Sequence, residues 1–81
     1  MSMQLILRLA QVLSLNGLSR STIYTHISQG LWTKPVSLGA RAIGWPASEV
    51  AALNNARIAG KNDTEIKALV VELESARKNV A

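Results

Sequence analysis

Apolar side chains recur along the chain at helical spacing, interrupted once by two short runs around a glycine-rich turn. Leu9, Val12 and Leu13 fall at i, i+3, i+4, which predicts a helix over about residues 8–15. Asn16 and Gly17 end it, because both tolerate the left-handed backbone of a helix terminus. Ahead of it, Leu5–Leu7 either starts a short strand or leads directly into the helix. After Leu18, the Ser19 hydroxyl can accept from a free first-turn N–H, so a second helix is expected from Ser19 to about Gln29, closed by Gly30.

With the core side of this second helix set midway between Ile23 and Ile27, Ser21, Thr22, Thr25, Ser28 and Gln29 form its outer face. Tyr24 and His26 flank the core stripe on opposite sides. An ordinary solvated helix favours Glu, Lys and Gln there. Ser and Thr each cost a few tenths of a kcal/mol in helix propensity. Short hydroxyl side chains instead suit a helix that approaches the floor of a DNA groove and reaches phosphates or base edges. A weak surface helix held by tertiary packing is the alternative.

Leu31 and Trp32 are expected in the core. Pro35 excludes a helix and suits an edge strand. Val36-Ser37-Leu38 and Ala42-Ile43-Gly44-Trp45 flank Gly39-Ala40-Arg41, which predicts a small hairpin over about 34–45 with Arg41 at its tip and Lys34 at its base. A lone hairpin is not stable, so Val36, Leu38, Ile43 and the tryptophans must pack on the helices. A helix with a small polar face followed by a basic hairpin is the order of a helix-turn-helix with a wing. The helix would enter the major groove, and the wing would reach flanking backbone or a narrow, strongly negative minor groove.

Pro46 is expected to break the strand and Ser48 to cap a third helix, with Val50, Leu53, Arg57 and Ile58 on or near one face. Glu49 lies in its first turn and Gly60 closes it. Asn62 or Asp63 caps a fourth helix carrying the stripe Ile66, Leu69, Val70, Leu73 and Val80, with Glu74 and Lys78 as an i, i+4 pair. That stripe either folds back onto the core or pairs with another copy. The expected fold is mainly α with a small β-hairpin. Residues 1–60 form a winged helix-turn-helix DNA-binding domain, and 61–81 a C-terminal amphipathic helix.

Composition narrows the chemistry. Eighty-one residues make one domain, able to bury only about 60% of its unfolded-chain surface. With no cysteine, disulfides and thiolate metal sites are excluded. Arg8 interrupts the only early apolar run, and no run approaches the roughly 20 residues of a spanning helix, so a cytoplasmic protein with no membrane partner is expected. Residues 1–60 hold Arg8, Arg20, Lys34, Arg41 and Arg57 against Glu49 alone, whereas residues 61–81 balance four cations with four acids. The whole formal charge of +4 therefore lies with the predicted motif. Counterion release by a few phosphate contacts would supply most of the nonspecific affinity.

Catalysis is not expected. His26 is the single histidine, no nucleophilic dyad or metal set can be assembled around it, and no phosphate-binding glycine motif is present. The acids, Glu49 and the C-terminal set, read as solubilising surface groups. No cofactor is implied. Trp32 and Trp45 are read as the main core aromatics rather than base-stacking platforms.

The run Leu18-Ser19-Arg20-Ser21-Thr22-Ile23-Tyr24, then Gly30, Lys34-Pro35-Val36-Ser37-Leu38-Gly39, Arg41-Ala42-Ile43-Gly44-Trp45 and Ser48-Glu49-Val50 resembles the AlpA family over about residues 8–58. These are small regulators of prophages and genomic islands, related in fold to phage excisionases and MerR-type winged-helix domains. The resemblance implies DNA binding through Ser19, Arg20, Ser21, Thr22, Tyr24 and Thr25 on the recognition helix and Lys34 and Arg41 on the wing. Thr25 stands where relatives commonly carry a basic residue. Trp32-Thr33 replaces the start of the usual Phe-Pro-Lys-Pro-type run. The implied function is sequence-specific binding of double-stranded DNA that activates transcription of an integrase or similar gene. The alternatives are an excisionase that bends attachment-site DNA, and a protein-interaction module that touches DNA weakly. Partners implied beyond DNA are integrase or RNA polymerase, and a homodimer or DNA-induced oligomer.

Overall fold

The computed structural model describes residues 5–79. Strand β1 (Ile6–Leu7) leads into α1 (Leu9–Asn16) and α2 (Arg20–Ser28). Strands β2 (Val36–Ser37) and β3 (Ile43–Pro46) follow, then α3 (Ala47–Ile58), α4 (Asp63–Ala76) and a closing 3₁₀ turn, Arg77–Asn79. The predicted winged arrangement is present, and local signals set most of its boundaries. Gly17 ends α1 at φ 72°, its N–H donating to the Leu13 carbonyl. The Ser19 hydroxyl accepts from Thr22 N at 3.2 Å to start α2. Asn62 starts α4 through a reciprocal pair with Glu65: its side chain accepts from Glu65 N, while the Glu65 carboxylate accepts from Asn62 N.

The wing is more than a hairpin. Of the two readings of Leu5–Leu7, the strand holds. The sheet is antiparallel with order β1-β3-β2, pairing Ile6 with Pro46 and Leu7 with Trp45 on one side of β3, and Val36 with Gly44 and Ser37 with Ile43 on the other. The chain's first strand thus ties the wing to α1. Gly44 makes this close approach feasible. A Cβ there would lie 2.6 Å from Ile6 Cγ2 and 2.9 Å from the Leu7 carbonyl oxygen, and the latter is backbone that cannot swing aside. Gly44→Ala is expected to force β1 and β3 apart and to cost about 1–3 kcal/mol, measurable as a lower midpoint in urea denaturation.

Both tryptophans are core residues. Trp45 is 0% exposed, its indole N–H donating to the Thr33 carbonyl at 2.8 Å, and Trp32 is buried beside it in a core with Val12, Ile23, Val50 and Leu53. Ile66 and Val70 of α4 enter the same core, with Leu69 and Leu73 packed against it. Val80 lies outside the described residues.

Several sequence expectations are corrected. Leu38, expected against the helices, is 43% exposed; it sits past the end of β2 in the wing loop, its side chain lying against Gly44 of β3. Pro46 does not break the strand but completes it, and its extended backbone (φ −58°, ψ 132°) is itself the cap position of α3. Ser48 is therefore a first-turn residue and not the cap, because strand passes into helix without a loop. The inner face of α3 is Val50, Leu53 and Ala56, while Arg57 is exposed and Ile58 is 83% exposed. A small Ala56 lets α3 approach its neighbours, which leaves Ile58, about 200° further round the helix, in solvent. Glu74 does not engage Lys78; it accepts instead from the Lys34 backbone N–H at 2.8 Å. Nor is Glu49 a solubilising surface group: it is 4% exposed and salt-bridged to Arg77. No helix among the described residues is long and apolar enough to cross a membrane.

Candidate nucleic-acid interface

The outer face of α2 is built from hydroxyls bonded back to their own helix. Besides capping, Ser19 Oγ lies 2.8 Å from Thr22 Oγ1 and 3.3 Å from Ser21 Oγ. The Thr25 hydroxyl donates to the Ser21 carbonyl at 3.0 Å, and the Ser28 hydroxyl donates to the Thr25 carbonyl at 2.7 Å. Such back-bonding directs the Thr25 and Ser28 hydroxyl protons inward and leaves oxygen lone pairs free on those two side chains. The face is short, polar and already ordered, so a groove-binding helix of this kind would lose little side-chain entropy on docking. Arg20, Ser21, Tyr24 and Thr25 are exposed along it, while Thr22 is half-buried.

The wing presents Arg41, exposed in the loop between β2 and β3. That loop turns through Gly39 at φ 152°, a conformation that favours glycine, with Leu38 N donating to the Ala42 carbonyl at 2.8 Å. Lys34 is exposed at its base. The Lys34 backbone is clamped from the C-terminal helix on both sides. Its N–H donates to Glu74, and its carbonyl accepts from Arg77 Nη2 at 2.6 Å. Arg77 simultaneously grips Glu49 with two parallel bonds of 2.7 Å, Nε to Oε2 and Nη2 to Oε1. Hydrogen bonding to Glu49 outweighs the loss of hydration and pushes the Arg77 guanidinium further above its ordinary pKa range. Stability linked to a raised cation pKa is present below the ordinary value and lost only as pH rises through the raised one, so the Arg77 guanidinium stays charged throughout the range in which proteins are handled.

Charge is segregated around this surface. No acidic side chain occurs among the first 48 residues. Among the described residues, the ion pairs engage Arg57, Lys61 and Arg77, leaving Arg8, Arg20 and Arg41 unpaired. Of the expected site residues, the structure brings Arg20, Tyr24 and Arg41 together around one depression of about 360 Å³, which Arg8 also lines. Ser19, Ser21, Thr22 and Thr25 lie along α2 beside it, and Lys34 lies outside it at the wing base. Arg8 is the residue that sequence reasoning missed. Its signal was present: a cation immediately before a helix whose first turn holds no acid. Only the β1–β3 pairing reveals that it faces the wing. The one histidine, His26, lies on the other flank of α2, lining a separate groove with Leu15, Leu18 and Ile58. Among the described residues no group of three or more His, Cys, Asp or Glu converges to hold a metal ion.

Residues 5–58 match the family described as Prophage CP4-57 regulatory protein (AlpA). A protein described as Uncharacterized protein ORF88, from Enterobacteria phage P4, is 49% identical over 55 residues, covering 68% of this chain. The matched region spans 62% of that phage protein's own length. No solved structure is significantly similar to the chain.

Proposed function

Because this chain belongs to the AlpA family of prophage regulatory proteins, we propose that it is a sequence-specific binder of double-stranded DNA that regulates a prophage or genomic island. In this reading α2 lies in the major groove, with Arg20, Ser21, Tyr24 and Thr25 toward the bases and backbone. Arg41 and Lys34 on the wing meet the flanking backbone or minor groove. Ser19 shapes the start of α2, and Thr22 supports the cap. The observation that carries the reading is the segregation of charge: unpaired arginines on α2 and the wing converge on one side of an acid-free half of the chain.

The regulatory act favoured here is transcriptional activation of an integrase or similar gene, by a cytoplasmic, nucleoid-associated protein with no catalytic activity of its own. Excision of an integrated element, with bending of attachment-site DNA, makes the same demands on the surface and differs in where the sites lie. Contact with integrase or RNA polymerase has a separate surface available. Leu15 and Ile58 are exposed beside His26, about 200° round α2 from Tyr24, so a partner could dock there while DNA is held.

The test is the double variant Arg20→Gln/Arg41→Gln, titrated against duplex DNA at several salt concentrations. Both residues are exposed, so folding should persist. Affinity is expected to fall on every sequence, and the dependence of log K on log salt to flatten by about 1 for each arginine that meets a phosphate. Wild-type affinity and slope in the double variant would overturn the assignment.

A further inference from the structure

The depression between α2 and the wing has a shape and charge that the recognition helix alone does not explain. A helix in the major groove and a wing in the adjoining minor groove straddle the sugar–phosphate ridge that separates the two grooves. The surface between helix and wing must therefore be concave, and whatever lines it faces phosphate. Here the concavity is lined by Arg20 and Tyr24 from α2, Arg41 from the wing, Arg8 from the β1–α1 junction, and Leu9 and Ala10 at the start of α1.

We propose that this depression is a binding site for a backbone phosphate diester of duplex DNA, with Arg8 as a contact residue. This rests on the DNA-binding reading above and adds a site to it. Three elements distant in sequence each deliver one guanidinium, and among the described residues none of the three has an ion-pair partner. Like charges gathered at one depression repel unless an anion sits between them. The start of α1 adds to the attraction. Leu9 and Ala10 form the first turn of α1, where backbone N–H groups have no intrahelical acceptor and the helix dipole is positive. The Arg8 backbone N–H is occupied by Gln11 Oε1 at 2.9 Å, which orders the start of the helix while the Arg8 side chain stays exposed. The phosphate so held is the one between the base-reading helix and the wing. Arg8 thus fixes the register of both elements on the duplex without reading sequence.

The experiment compares wild type, Arg8→Gln and Arg8→Lys in salt titrations on mixed-sequence duplex DNA and on the best site selected from a random pool. Arg8→Gln keeps the backbone bond to Gln11. It is expected to flatten the log K–log salt slope by about 0.9. Between about 50 and 200 mM salt the wild type should therefore lose about 3.5-fold more affinity than the variant. The weakening should be the same factor on both DNAs, and Arg8→Lys should restore the slope. Arg8→Gln with wild-type slope and affinity would overturn the phosphate site alone. So would a loss confined to the selected site, which would make Arg8 a base contact. A wild type with no affinity for duplex DNA would overturn this inference and the DNA-binding reading together.

Discussion

Trp45→Ala is expected to remove a large share of the protein's stability, about 3–5 kcal/mol. Trp45 is fully buried at the centre of β3, the strand that pairs with both its neighbours, and it is the largest of the fully buried side chains. Truncating a buried tryptophan costs about 3–5 kcal/mol, from lost transfer energy and from the cavity left behind. A chain of this size has a total stability of roughly 4–12 kcal/mol, so one substitution removes a large share of it. The loss reaches the interface, because the indole N–H also holds the Thr33 carbonyl in the segment joining α2 to the wing. Trp45→Phe separates the two contributions. It keeps most of the packing but orphans that carbonyl, and about 1–3 kcal/mol is expected from the unmet acceptor. Urea denaturation followed by the fluorescence of Trp32 would read both variants. A folded Trp45→Ala protein with a wild-type midpoint would refute the account of the core.

Arg77→Ala is expected to cost about 3 kcal/mol or more and, although Arg77 lies far from the proposed interface, to weaken DNA binding as well. Removing one partner of a buried pair leaves the other charge without compensation, and the measured range for such losses is about 3–5 kcal/mol. Glu49 is the buried member; Arg77, partly exposed, also supplies the donor to the Lys34 carbonyl. The variant therefore strands a carboxylate inside the fold and removes one of the two clamps on the base of the wing at once. Replacing both residues, as Glu49→Leu/Arg77→Met, should recover most of the stability, because an apolar pair of similar volume removes the desolvation cost. It should not recover the wing, since the Lys34 carbonyl remains without its donor. The contrast between midpoint and DNA affinity in these two variants is the readout. Equal recovery of both would show that Arg77 has no part in positioning the wing.

What was legible in the sequence was what is decided locally. Gly17, Ser19 and Asn62 mark helix ends through bonds within a few residues, and Ile23 and Ile66 mark the faces that turn inward. The short hydroxyl face of α2 is equally local, as was the pairing of Val36 and Ser37 across a tight turn. What escaped depends on residues far apart. β1 is two residues long, too short for alternation to show, and its partner lies about 40 positions away. Glu49 and Arg77 are separated by 28 positions; read alone, one is a first-turn acid and the other a surface cation. Arg8 belongs to the candidate site only because β1 pairs with β3 and carries the start of α1 toward the wing. Ile58 was misassigned because Arg57 and Ile58 continue a plausible stripe, and only the tertiary packing of α3 against α4 selects Ala56 in its place. Glu74 and Arg77, which hold the wing base, lie beyond the region matched by the family, so resemblance could not have supplied them.

In the proposed function, α2 and the wing carry this chain to duplex DNA within an integrated element. A genome-wide footprint of the protein on the DNA of its own host tests it most directly. The account predicts discrete protected sites inside or beside a prophage or genomic island, foremost upstream of an integrase or similar gene, that disappear with Arg20→Gln/Arg41→Gln. Clustered direct repeats at an attachment site would instead identify the excision role. A folded protein that enriches no site anywhere would contradict the claim and place its activity in contacts with other proteins.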